Sequence, residues 1–327
     1  MQAAFYQQQG PASEVFTFGE QPTPQPGPGE VRVRLRASGV NPSDWKTRKG
    51  GGNRRLFAPL VIPHSDGAGD IDAVGDGEPA SRIGERVWIW NGQWQRAFGT
   101  AAQYIALPSS QVVPMPATLG YAEGACLGIP ALTAMQAVRL AQVGPGMRVL
   151  VAGGAGAVGH YAVQIAKARG ATVFATVSSA AKAAHARAAG ADHVIDYRRE
   201  DVGARIKALN DDQGVDAVIE VDLCANAALY PAILKAHGTV VVYGISTNET
   251  RLPSLWLMQN SIAIRFFMIY DISQQDREAG LTELDALLRA DWLQHTIGLR
   301  LPLAEAARAH ELLEQGSVMG GVVLDID

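Results

Sequence analysis

Residues 148–178, RVLVAGGAGAVGHYAVQIAKARGATVFATVS, carry the order strand, glycine-rich turn, helix, strand. Residues 148–152 form a short apolar run suited to a strand buried on both faces. Gly154, Gly156 and Gly159 follow it at the spacing G-x-G-x-x-G. In that spacing Gly154 is expected to make the tight turn and Gly156 to let the backbone approach a pyrophosphate. Gly159 would let the helix pack on the strand with no side chain between them. The N–H groups of the helix's first turn would then face the phosphates. The chain holds 35 glycines, so the flanks must decide the matter. Val158, Ala162, Ile165 and Ala166 put an apolar stripe on the helix, Gly170 ends it, and residues 171–177 resume as a strand. Together they predict a nucleotide-binding βαβ unit.

Cofactor choice is expected at the end of that second strand, about 20 residues after the first glycine, where an Asp or Glu would accept from a ribose 2′-hydroxyl. The chain has no acid there. It reads Val177, Ser178, Ser179 and then Lys182, two hydroxyls and a cation suited to a 2′-phosphate. That argues for NADPH over NADH, against the plainer reading of a serine cap with a solvated lysine.

A chain of 327 residues exceeds what one core usually fills, so two domains are expected. Charged residues make up 18% and the net charge is −4, which supports neither nucleic acid nor an anionic membrane as the main partner. The first 20 residues lack a basic start and an apolar core, and no apolar run is long enough to span a bilayer; the expectation is a cytoplasmic protein. Cys126 and Cys224 read as unpaired core thiols, and two cysteines cannot make a four-cysteine zinc lobe.

Residues 1–120 read as short strands punctuated by Gly and Pro. In VRVRLRA, residues 31–37, apolar positions alternate with Arg32, Arg34 and Arg36, read as a solvated face. GVNPSDWKTRKGGGNRR reads as a loop, with KGGGNRR, residues 49–55, a basic rim or hairpin tip. From Leu119 the pattern turns helical, with an interruption at Pro130. Strands and helices then alternate through TVVVYGI as in a doubly wound parallel sheet, one helix falling near residues 226–235. A strand-like SIAIRFFMIY, two helices and a last strand GGVVLDI close the chain.

Seven stretches match a known family in its order: GVNPSDW (39–45), SDGAGDIDAVG (65–75), GERVW (84–88), GACLGIPALTA (124–134), AGGAGAVG (152–159), GADHVIDYR (190–198) and GTVVVYG (238–244). The chain resembles the medium-chain dehydrogenase/reductase superfamily, in particular its zinc-free, zeta-crystallin-like quinone oxidoreductases. The resemblance implies an α/β fold, a Rossmann doubly wound parallel sheet (121–269) inserted in a GroES-like β-rich catalytic domain (1–120 plus 270–327). It also implies an active-site cleft at their junction and pairing into dimers or tetramers through the Rossmann domain.

Residue by residue, the resemblance assigns the pyrophosphate turn to Ala155, Gly156, Ala157 and Val158. It assigns the 2′-phosphate and adenine end of NADPH to Ser178, Lys182 and Tyr197. Asn226 is matched to a cofactor loop; Gly244, Ile245, Phe267, Met268 and Ile269 line the nicotinamide side, and Asn41 lies near that ring. The zinc ligands of related enzymes are not matched, since the positions read Asn41 to Asp44 and Ser65-Asp66, with His64 one residue out of register. A family arginine near the C-terminus is replaced by Gly316 or Ser317.

The chemistry left is hydride transfer to a quinone or an α,β-unsaturated carbonyl. Asn41 is the candidate amide donor, Asp44 its orienter, and Lys46 a cationic donor, while Asp44 also reads as an Asx turn after Pro42. The rival readings are an enone or enoyl-thioester reductase and a non-enzymatic NADPH- or RNA-binding protein.

Overall fold

The strand pattern is best followed in chain order in the computed structural model, which describes residues 1–51 and 55–327. Seven strands come first: β1 (Gln2–Phe5), β2 (Thr17–Glu20), β3 (Glu30–Val40), β4 (Asp66–Val74), β5 (Arg86–Ile89), β6 (Tyr104–Pro108) and β7 (Val112–Pro114). Six follow: β8 (Arg148–Val151), β9 (Thr172–Val177), β10 (His193–Asp196), β11 (Val215–Glu220), β12 (Leu234–Val242) and β13 (Ala263–Phe266). The last two are β14 (Ile297–Pro302) and β15 (Gly321–Asp325). Two units form from them, Met1–Ile129 with His295–Asp327, and Pro130–Gln294.

The first unit is built on β3, which pairs antiparallel with β4, β6 and β15, so the C-terminal strand completes the N-terminal sheet. The sheet runs β14-β15-β3-β4-β5-β7, with β6 also on β3 and β1-β2 as a separate ribbon. Alternation along β3 buries Val31, Val33 and Leu35 completely against Ile71, Ile105, Leu107 and Leu324. The intervening arginines are not simply a solvated face. Arg32 pairs with Asp72 at 2.9 Å and Arg36 with Asp70 at 3.0 Å across the neighbouring strand, leaving only Arg34 exposed and without an ion pair among the described residues.

The stretch read as a loop after β3 is a helix, Pro42–Lys49. Its start signals are local: Asn41 is the cap, Pro42 occupies the first turn, and Asp44 at the third position accepts from the Asn41 N–H at 2.7 Å to close a capping box. The polar composition hid it, because the helix has no apolar stripe. Of the expected basic segment 49–55, residues 52–54 lie outside the described residues.

In the second unit all six strands are parallel, in the order β10-β9-β8-β11-β12-β13. The sheet reverses direction of winding between β8 and β11, which makes the carboxyl ends of those strands the place where a doubly wound sheet binds its ligand. β8 and β9 are buried on both faces through Val149, Leu150, Val173 and Phe174, as their apolar runs require.

Three features depart from the sequence reading. The helix expected near 226–235 is broken into Leu223–Asn226, a tight turn Ala227–Leu229, and Tyr230–Ile233. Pro231 has no N–H to continue a ladder and instead sits in the first turn of the last piece. The strand β14 was not anticipated. The helix Gln274–Arg289 belongs to the parallel-sheet unit, where Glu283 is gripped by Arg139 and Arg169, so this unit runs past residue 269 to Gln294. At the other end, a π-helical turn Leu127–Ala131 containing Pro130 marks the change from one unit to the other. No helix among the described residues is long and apolar enough to cross a membrane.

Candidate cofactor and reduction site

The glycine-rich turn leaves β8 at its carboxyl end, and β9 holds it in place. Gly153 N–H donates to Thr176 Oγ1 and Gly154 N–H to Thr176 O, each at 3.1 Å. The tight turn expected of Gly154 is made by Gly153, whose φ of 68° is the left-handed value. Gly154 serves packing instead, since a Cβ there would stand 2.7 Å from Ala175 Cβ. At Gly159 a Cβ would meet Gly153 O at 2.2 Å, which is the close helix–strand approach the spacing predicted. Gly156 caps the helix Ala157–Ala168 without a side chain, so the first-turn N–H groups of Ala157 and Val158 are left for solvent or an anion. Ala155 lies buried beneath the turn.

The candidate 2′-phosphate residues come together at the ends of β9 and β10. These strands pair with Asp196 opposite Val177, and the Tyr197 N–H donates to Val177 O at 3.1 Å, which sets exposed Tyr197 beside Ser178. Ser179 is committed as the cap of the helix Ala180–Ala188, accepting from the Lys182 N–H at 3.3 Å. The hydroxyl of Ser178 and the ammonium of Lys182 have no hydrogen bond to other described residues. The cap reading therefore applies to Ser179, and the phosphate reading rests on Ser178 and Lys182.

Next along the sheet, Glu220 at the end of β11 is 1% exposed, and burial raises its carboxyl above the ordinary range. Three donors stabilise it: Asp222 N–H at 2.7 Å, Asn226 Nδ2 at 2.8 Å and Tyr230 OH at 3.1 Å. Asn226 therefore spends an amide hydrogen on shaping its own loop. Asp222 in turn accepts from Ser246 N–H at 3.0 Å and Ser246 Oγ at 2.9 Å, tying this loop to the one carrying Gly244 and Ile245. A Cβ at Gly244 would stand 2.0 Å from Val221 O, so only glycine lets the two loops meet. Neither Glu220 nor Asp222 was singled out from the sequence; an acid at the end of a strand predicted apolar was the available signal. Cys224 is not a core thiol: it lies in this loop at the wall of a recess of about 540 Å³, with Sγ 3.4 Å from Thr247 O.

Beyond β13, Phe267 is half-buried, Met268 is 51% exposed and Ile269 is buried. The Ile269 carbonyl accepts from Arg277, whose burial brings its guanidinium down to about 10. Met268 is the one of the three that stands in the open.

In the first unit, Asn41 and Asp44 are both buried, and the structure assigns them different partners from those expected. Asp44 accepts from the Asn41 main chain, not from its side chain, and burial pushes its carboxyl up to about 7. The Asn41 carboxamide donates instead to Asp66 Oδ2 at 2.8 Å. Asp66 is thus the acidic side chain that meets that amide. Lys46 Nζ stands 5.8 Å from the centre of the Trp45 ring, with Lys49 at 5.9 Å from the same ring.

The donor set around Asp66 does not suit zinc. His64 Nδ1 is taken by Ser38 Oγ at 2.9 Å and His64 Nε2 by His310 Nε2 at 2.8 Å, while Asp66 is turned toward Asn41. Among the described residues no three His, Cys, Asp or Glu side chains are grouped as around a metal ion. The dinucleotide turn, by contrast, fits its ligand class: a cradle bare of side chains, a helix start with unused N–H groups, and a cation near by.

Comparisons with known proteins show what the chain is similar to in both units. Residues 27–117 match the alcohol dehydrogenase GroES-like domain, and residues 157–286 match the domain described as zinc-binding dehydrogenase. The chain is 31% identical over 293 residues to the quinone oxidoreductase of Rattus norvegicus, covering 89% of this chain and 87% of that one. Its fold superposes on the Escherichia coli quinone oxidoreductase complexed with NADPH with a TM-score of 0.88, at 25% identity and full coverage of both chains. A structure described as an NAD-dependent alcohol dehydrogenase gives a TM-score of 0.92 at 30% identity, again over the whole of both chains. Given this likeness along nearly the full length, in both units and in the order of their motifs, the chain belongs to the quinone oxidoreductase family of the medium-chain dehydrogenase/reductase superfamily.

Proposed function

We propose that this protein reduces quinones with NADPH, by direct hydride transfer and without a metal ion. The observation that supports the cofactor choice is that Ser178 and Tyr197 follow the paired ends of β9 and β10, with Lys182 in the first turn of the next helix and no acid in residues 177–182, where a carboxylate would repel a 2′-phosphate. When bound, the reduced nicotinamide supplies a hydride to an electron-poor acceptor. The first-turn N–H groups of Ala157 and Val158 hold the pyrophosphate, with Ala155 and Gly156 leaving room for it. Asn226 shapes its cofactor loop, and Gly244, Ile245, Phe267, Met268 and Ile269 form the wall on the nicotinamide side.

Asn41 carries a second amide hydrogen beyond the one given to Asp66, and donates it to the oxygen on which negative charge develops. Asp44 holds the Asn41 main chain at the start of its helix, and Lys46 adds positive charge near the reduced acceptor. The proton that completes the reduction comes from solvent.

The exposed edge of β13, with Phe266 at 62% and Met258 at 72% exposure near by, supports pairing of two copies through the parallel-sheet unit, in the cytoplasm. The test of function is an acceptor screen at fixed NADPH with NADH in parallel, following absorbance at the reduced nicotinamide band. Oxidation that requires a quinone and prefers NADPH supports the proposal. Turnover only with enones or acyl thioesters favours the reductase reading, turnover of alcohols with NAD⁺ a dehydrogenase, and binding with no turnover a cofactor-binding protein.

A further inference from the structure

Four buried side chains of the first unit form a hydrogen-bond chain that ends on a main-chain carbonyl, and its direction can be worked out from that last link. Thr100 Oγ1 lies 2.5 Å from the Asp66 main-chain carbonyl, which can only accept, so Thr100 spends its single hydrogen there. Ser38 Oγ, 2.8 Å from Thr100 Oγ1, must then be the donor of that pair. With its own hydrogen used, Ser38 accepts from His64 Nδ1–H at 2.9 Å. His64 is wholly buried and neutral, its burial lowering it to about 3, so its other nitrogen is an acceptor. His310 Nε2–H fills it at 2.8 Å, leaving His310 Nδ1 as a buried lone pair with no partner among the described residues. Every donor points the same way, from the C-terminal helix Ala306–Glu314 to the carbonyl of Asp66.

Such a chain positions rather than conducts. It ends on a peptide oxygen, which has no proton to pass on. What it determines is where residue 66 stands. The carboxyl of Asp66 is enclosed as well: a Cβ at Gly128 would lie 2.3 Å from its Oδ1, and a Cβ at Gly39 would lie 3.0 Å from its Cβ. Oδ2 accepts from Asn41 Nδ2, and the carboxyl also meets the Ile129 N–H. At 1% exposure burial outweighs these two donors and raises the carboxyl well above its ordinary range, which favours the neutral form.

We infer that Asp66 is the positioning residue for the Asn41 carboxamide, acting as a neutral carboxyl group whose main chain is locked by the one-way chain from His310. This rests on the reading above, in which Asn41 donates to the developing oxyanion. The neutral form matters for that role. An ionised Asp66 would draw the amide toward itself and hold negative charge close to where more must develop.

The experiment compares Asp66→Ala, Asp66→Asn, Asn41→Ala and the double variant Asp66→Ala/Asn41→Ala, in the full chain with NADPH and a simple benzoquinone. Asp66→Ala is expected to lower kcat about tenfold, the scale of one hydrogen bond, with the NADPH Kd and KM little changed. Asp66→Asn, which keeps the acceptor and cannot ionise, recovers most of that loss, and the double variant is no slower than Asn41→Ala alone. Additive losses in the double variant, or an Asp66→Asn variant as slow as Asp66→Ala, overturn the inference. One readout needs no turnover. In nitrogen-15 spectra of the protein without ligand, the hydrogen-bonded Asn41 side-chain proton should lie downfield in wild type and Asp66→Asn, and return toward the position of a free carboxamide in Asp66→Ala. A wild type that oxidises NADPH with no quinone would end the proposed function, and the Asn41 resonances would still decide the Asp66 contact.

Discussion

Gly156 and Gly159 lack a side chain for opposite reasons, and a methyl group at each separates binding from folding. At Gly159 a Cβ would collide with Gly153 O at 2.2 Å, so Gly159→Ala is expected to cost about 1–3 kcal/mol and to lower the melting temperature. At Gly156 the nearest atom to a Cβ is 3.4 Å away and φ is −78°, which alanine adopts freely. Gly156→Ala should therefore keep its melting temperature to within about 1 kcal/mol of stability, while its methyl group blocks the approach of a pyrophosphate and weakens NADPH in a titration followed by fluorescence. Lys182→Glu is expected to raise the NADPH Kd about tenfold or more and to leave NADH nearly unchanged, since only the former carries the 2′-phosphate. Equal weakening of both would remove Lys182 from that role. The glycine spacing and the hydroxyl–lysine pair were readable at this scale because they are local. The division of labour between Gly153 and Gly154 was not, because it depends on Ala175 and Thr176 of the neighbouring strand.

The helix Pro42–Lys49 shows how an element is specified by its first turn. Its signals, Asn41, Pro42 and Asp44, were present in the sequence, yet the mean character of the segment is polar, and a search for apolar periodicity passes over it. Its cap is also where pH should act. Asp44 has an ordinary carboxyl value of 3.8 when unfolded and is pushed up to about 7 by burial. Between those values the folded protein holds a proton that the unfolded chain has released. That contribution is complete below pH 3.8 and is lost as pH rises through 7. Asp44→Asn, which is neutral at every pH, should thus gain melting temperature relative to wild type on going from pH 5 to pH 8. A difference that stays constant across that range would exclude an ionising Asp44. His64 works in the opposite direction. Its burial lowers it from 6.5 to about 3, so the unfolded chain takes up a proton first, and stability falls as pH drops from 6.5 toward 3. Thermal melts below pH 6.5 should show that fall, and it should shrink in His64→Gln.

At the scale of the whole molecule, the chain leaves the β-rich unit at Pro130, builds six parallel strands, and returns at His295 to supply β14 and β15. The proposed pairing of copies along β13 predicts that Phe266→Asp, on an edge strand and 62% exposed, shifts the protein toward monomer in analytical ultracentrifugation without unfolding it. The sequence by itself determined the parallel sheet, the dinucleotide turn and the family, because alternating strands and helices, a glycine spacing and seven ordered motifs are written in neighbouring residues. It also carried the preference against an acid at the end of β9. Only the tertiary structure decided that the Asn41 carboxamide meets Asp66, 25 residues away, while the Asp44 carboxyl meets the Asn41 main chain, and that a chain of hydrogen bonds reaches Asp66 from His310, 244 residues further along. Buried polar groups must find partners wherever the packed chain puts them, and no local pattern records which residue from a distant strand or helix will arrive.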